Sequence, residues 1–200
     1  MIVDPAAVAP EAELPPYAGL ALADVRMVRS AADAAAALAA LTACDVIGFD
    51  TESKPTFQKG EVSGGPHLVQ LASDATAFLF QIGAEAAADA FAAELKAVLE
   101  SPAILKVGFG LADDLKRLRA KLGIDTRNVL DLSTALRKGE RNTLGAKTAV
   151  ARFFGQKLQK SKKITTTNWA LPRLSEKQIL YAADDAHVAL KIYRHWRAQQ

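Results

Sequence analysis

Cysteine is almost missing from this chain of 200 residues: Cys44 stands alone, so no internal disulfide can form. Histidine is nearly as sparse. His67, His187 and His195 lie far apart, and with a single cysteine there is no cluster spaced for a structural zinc. There is also no charge-free run of membrane length. The opening residues, MIVDPAAVAP, have neither the basic stretch nor the apolar stretch of a secretory leader. These absences lead us to expect a soluble protein of the reducing cytoplasm with no membrane partner. No internal repeat, low-complexity tract or second-domain boundary is apparent. Half of the residues are apolar, enough for one sizeable core without covalent staples.

Positive charge is scarce in the first half. Residues 1–100 hold 5 Lys and Arg against 14 Asp and Glu, whereas residues 101–200 hold 20 against 8. The net charge of +3 therefore hides two halves of opposite sign, and the second is the candidate to meet a polyanion. Lys116, Arg117, Arg119 and Lys121 read as the wet face of a helix. Lys157, Lys160, Lys162 and Lys163 read as an irregular polar segment that could face a phosphate backbone and give salt-dependent binding.

Residues 1–23 carry Pro5, Pro10, Pro15 and Pro16, which predicts an extended arm, either wrapped on the domain or loose in solvent, ahead of a folded domain over 24–200. Val25 to Arg29 reads as a strand. Ser30 and Asp33 have capping-box spacing at the start of a helix from Ala31 to Leu41. Val46 to Phe49 is a short apolar strand ending at Asp50, and two further strands, His67 to Ala72 and Ala77 to Phe80, flank a Ser73-Asp74 turn as a meander. An alanine-rich helix is expected from Glu85 to Glu100, a strand from Ile104 to Val107, and a helix with an apolar stripe of Leu111, Leu115, Leu118 and Leu122. That alternation implies crossover units with parallel strands. A short strand, Val129 to Asp131, precedes helices at Leu132 to Arg137 and Leu144 to Phe154. Ser175 and Gln178 again have capping-box spacing, before a last helix from Glu176 to Trp196.

Against this layout, acids fall at telling places. Asp50 and Glu52 stand two apart at the end of a strand, a spacing that points both carboxylates to one side, at the sheet edge where open α/β folds put ligands. Clustered acids are costly without a positive partner, and divalent metal is the natural one. Gly108 and Gly110 follow a strand, but Asp113 occupies the third glycine position of a dinucleotide-binding loop and would repel pyrophosphate. The glycines instead allow a tight turn toward Asp114, while helix N-terminal charge compensation would suffice for at least one of Asp113 and Asp114. Asp185 shares a helix face with Tyr181, whereas Asp184 is rotated by about 100°. Tyr181 is either a residue that orients a water for attack or a core tyrosine whose hydroxyl reaches the surface. Trp169 is either a base-stacking platform or a buried anchor beneath the last helix.

The segments FDTES, VGFGLADDL and YAADDAHVAL resemble the three motifs of the DEDD superfamily of 3′–5′ exonucleases, in the tyrosine-containing subgroup that includes ribonuclease D and the exonuclease domain of the Werner syndrome helicase. HLVQLAS and TNWALPRLSEKQILYAADDA resemble the connecting regions, and the Werner-type branch is the nearer in character. The resemblance implies a ribonuclease H-like α/β fold, a mixed sheet of five to six strands flanked by helices. It implies two divalent ions, Mg²⁺ or Mn²⁺, one held by Asp50, Glu52 and Asp185, the other shared through Asp50 and held by Asp114, with Tyr181 positioning the water. The reaction implied is stepwise hydrolysis of DNA or RNA from a free 3′ end to nucleoside 5′-monophosphates. By position, Ser53 is either near the terminal 3′-hydroxyl or simply packed in its loop, and Phe57 either lies against the last base or packs in the same loop. The neighbouring possibilities are a hydrolase of very short oligonucleotides and a catalytically inactive nucleic-acid-binding module.

Overall fold

The protein is described here by a computed structural model covering residues 13–57, 61, 64–82, 91–137 and 143–200. Six strands form one mixed sheet: β1 (Val25–Val28), β2 (Val46–Glu52), β3 (Leu68–Ala72), β4 (Ala77–Gln81), β5 (Leu105–Gly108) and β6 (Val129–Asp131). Their spatial order is β1-β4-β3-β2-β5-β6. The meander β2-β3-β4 is antiparallel, β5 and β6 continue from β2 in parallel, and β1 closes the far edge in parallel with β4. The placement of β1 could not be read from its own residues, because a short apolar strand pairs equally well with either edge.

Between and after these strands run α1 (Ala31–Thr42), α2 (Ala92–Leu99), α3 (Ala112–Leu122), α4 (Leu132–Ala135), α5 (Ala146–Phe154), α6 (Lys162–Thr165) and α7 (Glu176–Arg197). Both expected capping boxes are formed, Ser30 with Asp33 and Ser175 with Gln178, so each helix start has its first orphan donors satisfied by side chains. The first part of the expected alanine-rich helix, 85–90, lies outside the described residues. The expected irregular segment at 157–163 contains the start of α6, a single turn too short to show a hydrophobic period.

Strand alternation sorts the core into two layers. Ile47, Phe49, Val69, Leu71, Phe78 and Phe80 face α1, α2 and α3. Val46, Leu68, Ala72, Leu79 and Val107 face α7, which crosses the middle of the sheet. The closest approach is at Gly48, where a Cβ would lie 1.9 Å from the Ala186 carbonyl oxygen, so only glycine lets α7 rest on β2. Arg194 fastens the far end of α7 by donating to both carboxylate oxygens of Asp45, at 2.9 and 2.6 Å, and to Asp74 at 3.3 Å. The arm residues that are described lie on the domain: the Tyr17 N–H donates to the Lys157 carbonyl and the Lys157 N–H to that of Pro15. No helix among the described residues is long and apolar enough to cross a membrane.

Candidate active site

β2 continues two residues past the expected end, because Thr51 and Glu52 pair with Val69 and Leu68 of β3. Asp50 and Glu52 therefore both belong to the end of the strand, Glu52 as its last residue, on the same face as Val46 and Gly48, the face covered by α7. Asp185 comes from the middle of α7, one residue before the Ala186 contact, and is only 6% exposed. Burial, with the Asp185 charge next, holds Asp50 well above the usual carboxylate range. Burial and then Asp50 push Glu52 up to about 9. Asp185 is also raised by burial, against the opposing pull of Lys160 and the Tyr181 hydroxyl.

Lys160, from the basic segment expected to face a phosphate backbone, turns onto an acid: its Nζ lies 2.9 Å from Asp185 Oδ1 and 5.8 Å from the centre of the Tyr181 ring. Burial works against its charge, but Asp185 and Asp50 outweigh that and hold it above its ordinary value. Nothing in the sequence separates it from Lys157, Lys162 and Lys163, since all four share one polar neighbourhood.

Asp114 reaches the site from the second position after the start of α3. The turn into that helix needs Gly110, whose φ of 70° is a left-handed conformation. Asp131, at the end of β6, holds the turn by accepting from the N–H groups of Gly110 at 3.0 Å and Leu111 at 3.1 Å, and from Ser133. It was not among the expected residues, and an acid at the end of a short apolar run was its only signal. Asp114 accepts a hydrogen bond from the Thr51 hydroxyl, while Asp113 is exposed and pairs with Lys116 at 3.3 Å. Burial raises Asp114, and the Thr51 hydroxyl moderates the shift.

Tyr181 stands one turn before Asp185, its hydroxyl 2.9 Å from that of Thr165 and pushed up to about 12 by burial and then by the Asp185 charge. Trp169 is fully buried beneath it and donates to the Thr165 carbonyl, the anchor role rather than a stacking platform. Asp184 turns away and accepts from the Leu20 N–H at 2.9 Å, so it holds the arm. His67 accepts from the Lys54 N–H, His187 meets the Asp74 carbonyl, and His195 packs on Phe153 and Phe154; none joins the acids. Phe57 is 80% exposed. The Ser53 hydroxyl is buried without a hydrogen-bond partner among the described residues, close against Gly65.

Asp50, Asp185 and Lys160 line a cleft of about 480 Å³ together with Gly110, Asp131 and Gly145, and Glu52, Asp114 and Tyr181 lie close enough to these acids to act on their charge. As they stand, Asp185 is engaged by Lys160 and Asp114 by Thr51. Among the described residues, no three acidic, histidine or cysteine side chains form a ready metal-ligand group. The donor chemistry nonetheless fits a hard divalent cation: carboxylate oxygens without sulfur or imidazole, held together at a cost that added positive charge relieves.

Fold and site thus define an α/β protein with a carboxylate-lined cleft at the centre of its sheet. A model of the 3′-5′ exonuclease family matches residues 25–199, and the chain belongs to that family. It is similar to the mouse bifunctional 3′-5′ exonuclease/ATP-dependent helicase WRN, 30% identical over 152 residues that make up 75% of this chain and 11% of the mouse protein. Among solved structures it is similar to the Aedes aegypti Nibbler EXO domain, with a TM-score of 0.76, 27% identity and 90% of each chain covered. It shares the fold of Trypanosoma brucei RNase D in complex with RNA U12, with a TM-score of 0.75 at 22% identity over 86% of this chain and 61% of that one. The curated relatives it matches first are longer: the chain spans 11% of one and 51% of the next.

Proposed function

We propose that this chain is a metal-dependent exonuclease of the tyrosine-containing DEDD type, which shortens DNA or RNA from a free 3′ end and releases nucleoside 5′-monophosphates. The observation that carries the reading is the meeting of Asp50 and Glu52 from β2, Asp185 from α7 and Asp114 from α3 within reach of one another's charge, with Asp50 and Asp185 lining the cleft and Tyr181 hydrogen-bonded to Asp185. Asp50, Glu52 and Asp185 would hold one Mg²⁺ or Mn²⁺, and Asp50 with Asp114 a second. Such ions supply Lewis-acid stabilisation of the attacking and leaving oxygens in an in-line displacement.

The chain's own residues account for the rest. Tyr181, fixed through Thr165 and kept protonated by burial, is a donor that can orient a water toward the phosphorus. The orphaned Ser53 hydroxyl suits a terminal 3′-hydroxyl, and the exposed Phe57 ring suits the face of the last base. Family membership and the clustered acids both support this reading over an inactive binding module.

Digestion of 5′-labelled RNA and DNA strands with Mg²⁺, Mn²⁺ or EDTA tests it. A ladder receding from the 3′ end is expected with metal, and both EDTA and Asp50→Ala should lower the rate by about 10³-fold or more. A ladder that survives Asp50→Ala would overturn the assignment.

A further inference from the structure

The ammonium of Lys160 occupies a place that neither surface packing nor the proposed metal ligation accounts for. Its side chain is 28% exposed and that of Asp185 4%, and the two line the cleft together. Its backbone is fixed close by: Lys157 exchanges two hydrogen bonds with the arm, accepting from Tyr17 at 2.9 Å and donating to Pro15 at 2.7 Å. The Lys160 N–H donates to the Leu158 carbonyl at 2.9 Å. With the main chain held, movement falls to the flexible four-carbon stem, which also lines the open cleft.

A metal ion on the Asp185 oxygen that Lys160 already holds would compete with the lysine. A Mg²⁺ ion binds carboxylate oxygen at about 2.1 Å. Lys160 Nζ lies 2.9 Å from Asp185 Oδ1. Placed on opposite sides of that oxygen, the two cations could be no more than about 5 Å apart, within the range where like charges in a buried site repel strongly. The stem has somewhere to go, because the cleft continues past Gly110 to Gly145 and Ala146.

We propose that Lys160 is the resident counter-ion of this site: its ammonium pairs with Asp185 when no divalent ion is bound, is displaced by the ion, and then meets the phosphodiester in the cleft. This rests on the metal-site reading above. It makes Lys160 a residue of two positions, competing with metal in one and serving substrate in the other.

The test compares wild type with Lys160→Met, Lys160→Gln and Lys160→Arg by Mn²⁺ titration, read from the EPR signal of the free ion, and by thermal unfolding in EDTA. Lys160→Met and Lys160→Gln should bind Mn²⁺ about tenfold more tightly or better, since the competing charge is gone, and should melt lower in EDTA, since Asp185 has lost its partner. Lys160→Arg should stay near wild type. At saturating Mn²⁺, both neutral variants should cleave a 5′-labelled strand more slowly, by about tenfold or more, for want of a cation on the phosphate. A role confined to structure would leave metal affinity unchanged or weakened, so equal or weaker Mn²⁺ binding by a folded Lys160→Gln overturns the proposal. Tighter binding with an unchanged cleavage rate overturns its second position. Absence of Mn²⁺ binding in every form overturns the metal site itself, and the proposal with it.

Discussion

At Gly48 the missing side chain is what allows the site to exist. A methyl group there would lie 1.9 Å from the backbone oxygen of Ala186, next to Asp185, and a backbone atom cannot step aside without carrying α7 with it. Gly48→Ala should therefore cost roughly 2–4 kcal/mol, seen as a melting temperature lowered by several degrees, and should reduce cleavage by moving Asp185 away from Asp50. An unchanged melting curve would show that the helix can shift freely. The acids were legible at this scale because their chemistry is unusual and their order along the chain is distinctive. Gly48 and Lys160 were not, since a glycine in an apolar run and a lysine among lysines owe their importance to what lies across the fold.

Among the elements, the turn from β5 into α3 depends on a neighbour that is not its own. Asp131 at the end of β6 satisfies two N–H groups of that turn and thereby sets where α3 begins and where Asp114 stands. Asp131→Ala should leave those donors without their carboxylate and lower stability by about 1–3 kcal/mol. It should also lower kcat with KM little changed, measured by steady-state cleavage of a labelled oligonucleotide, because Asp114 is loosened while the rest of the cleft is intact. If KM rises and kcat holds, Asp131 contacts substrate instead. Long elements with end signals were readable: α1 and α7 begin at their capping boxes. The extension of β2 through Glu52 was not, because its ladder partners belong to β3.

At the scale of the whole molecule, burial also reaches a cation that does not line the cleft. Lys106 on β5 is fully buried, its ammonium donating to the carbonyls of Ser101 at 2.7 Å and Ile104 at 2.9 Å, and burial lowers it to about 8. In the unfolded chain the same group keeps its ordinary value of about 10.4. Between these two values the unfolded chain binds more protons, so this lysine adds stability as the pH rises through the window, while below about pH 8 its penalty is fully present. The difference in unfolding free energy between wild type and Lys106→Met should accordingly move in favour of wild type by roughly 1–3 kcal/mol from pH 7 to pH 10.5. A difference that is flat with pH would mean that the two carbonyls hold the ammonium fully charged.

By itself the sequence determined the set of acids, the alternation of strand and helix and the capped starts of α1 and α7. Side-chain type and hydrophobic period are local properties, and these features depend on little else. Tertiary structure alone decided that β1 lies beside β4, that Asp114 accepts from Thr51 and that Asp184, turned away from Asp185 as its helical position predicts, holds the arm. It also decided that one lysine of the basic segment turns inward onto an acid. Each of these pairs residues distant in the chain, where burial and like-charge repulsion, not local preference, choose the partner.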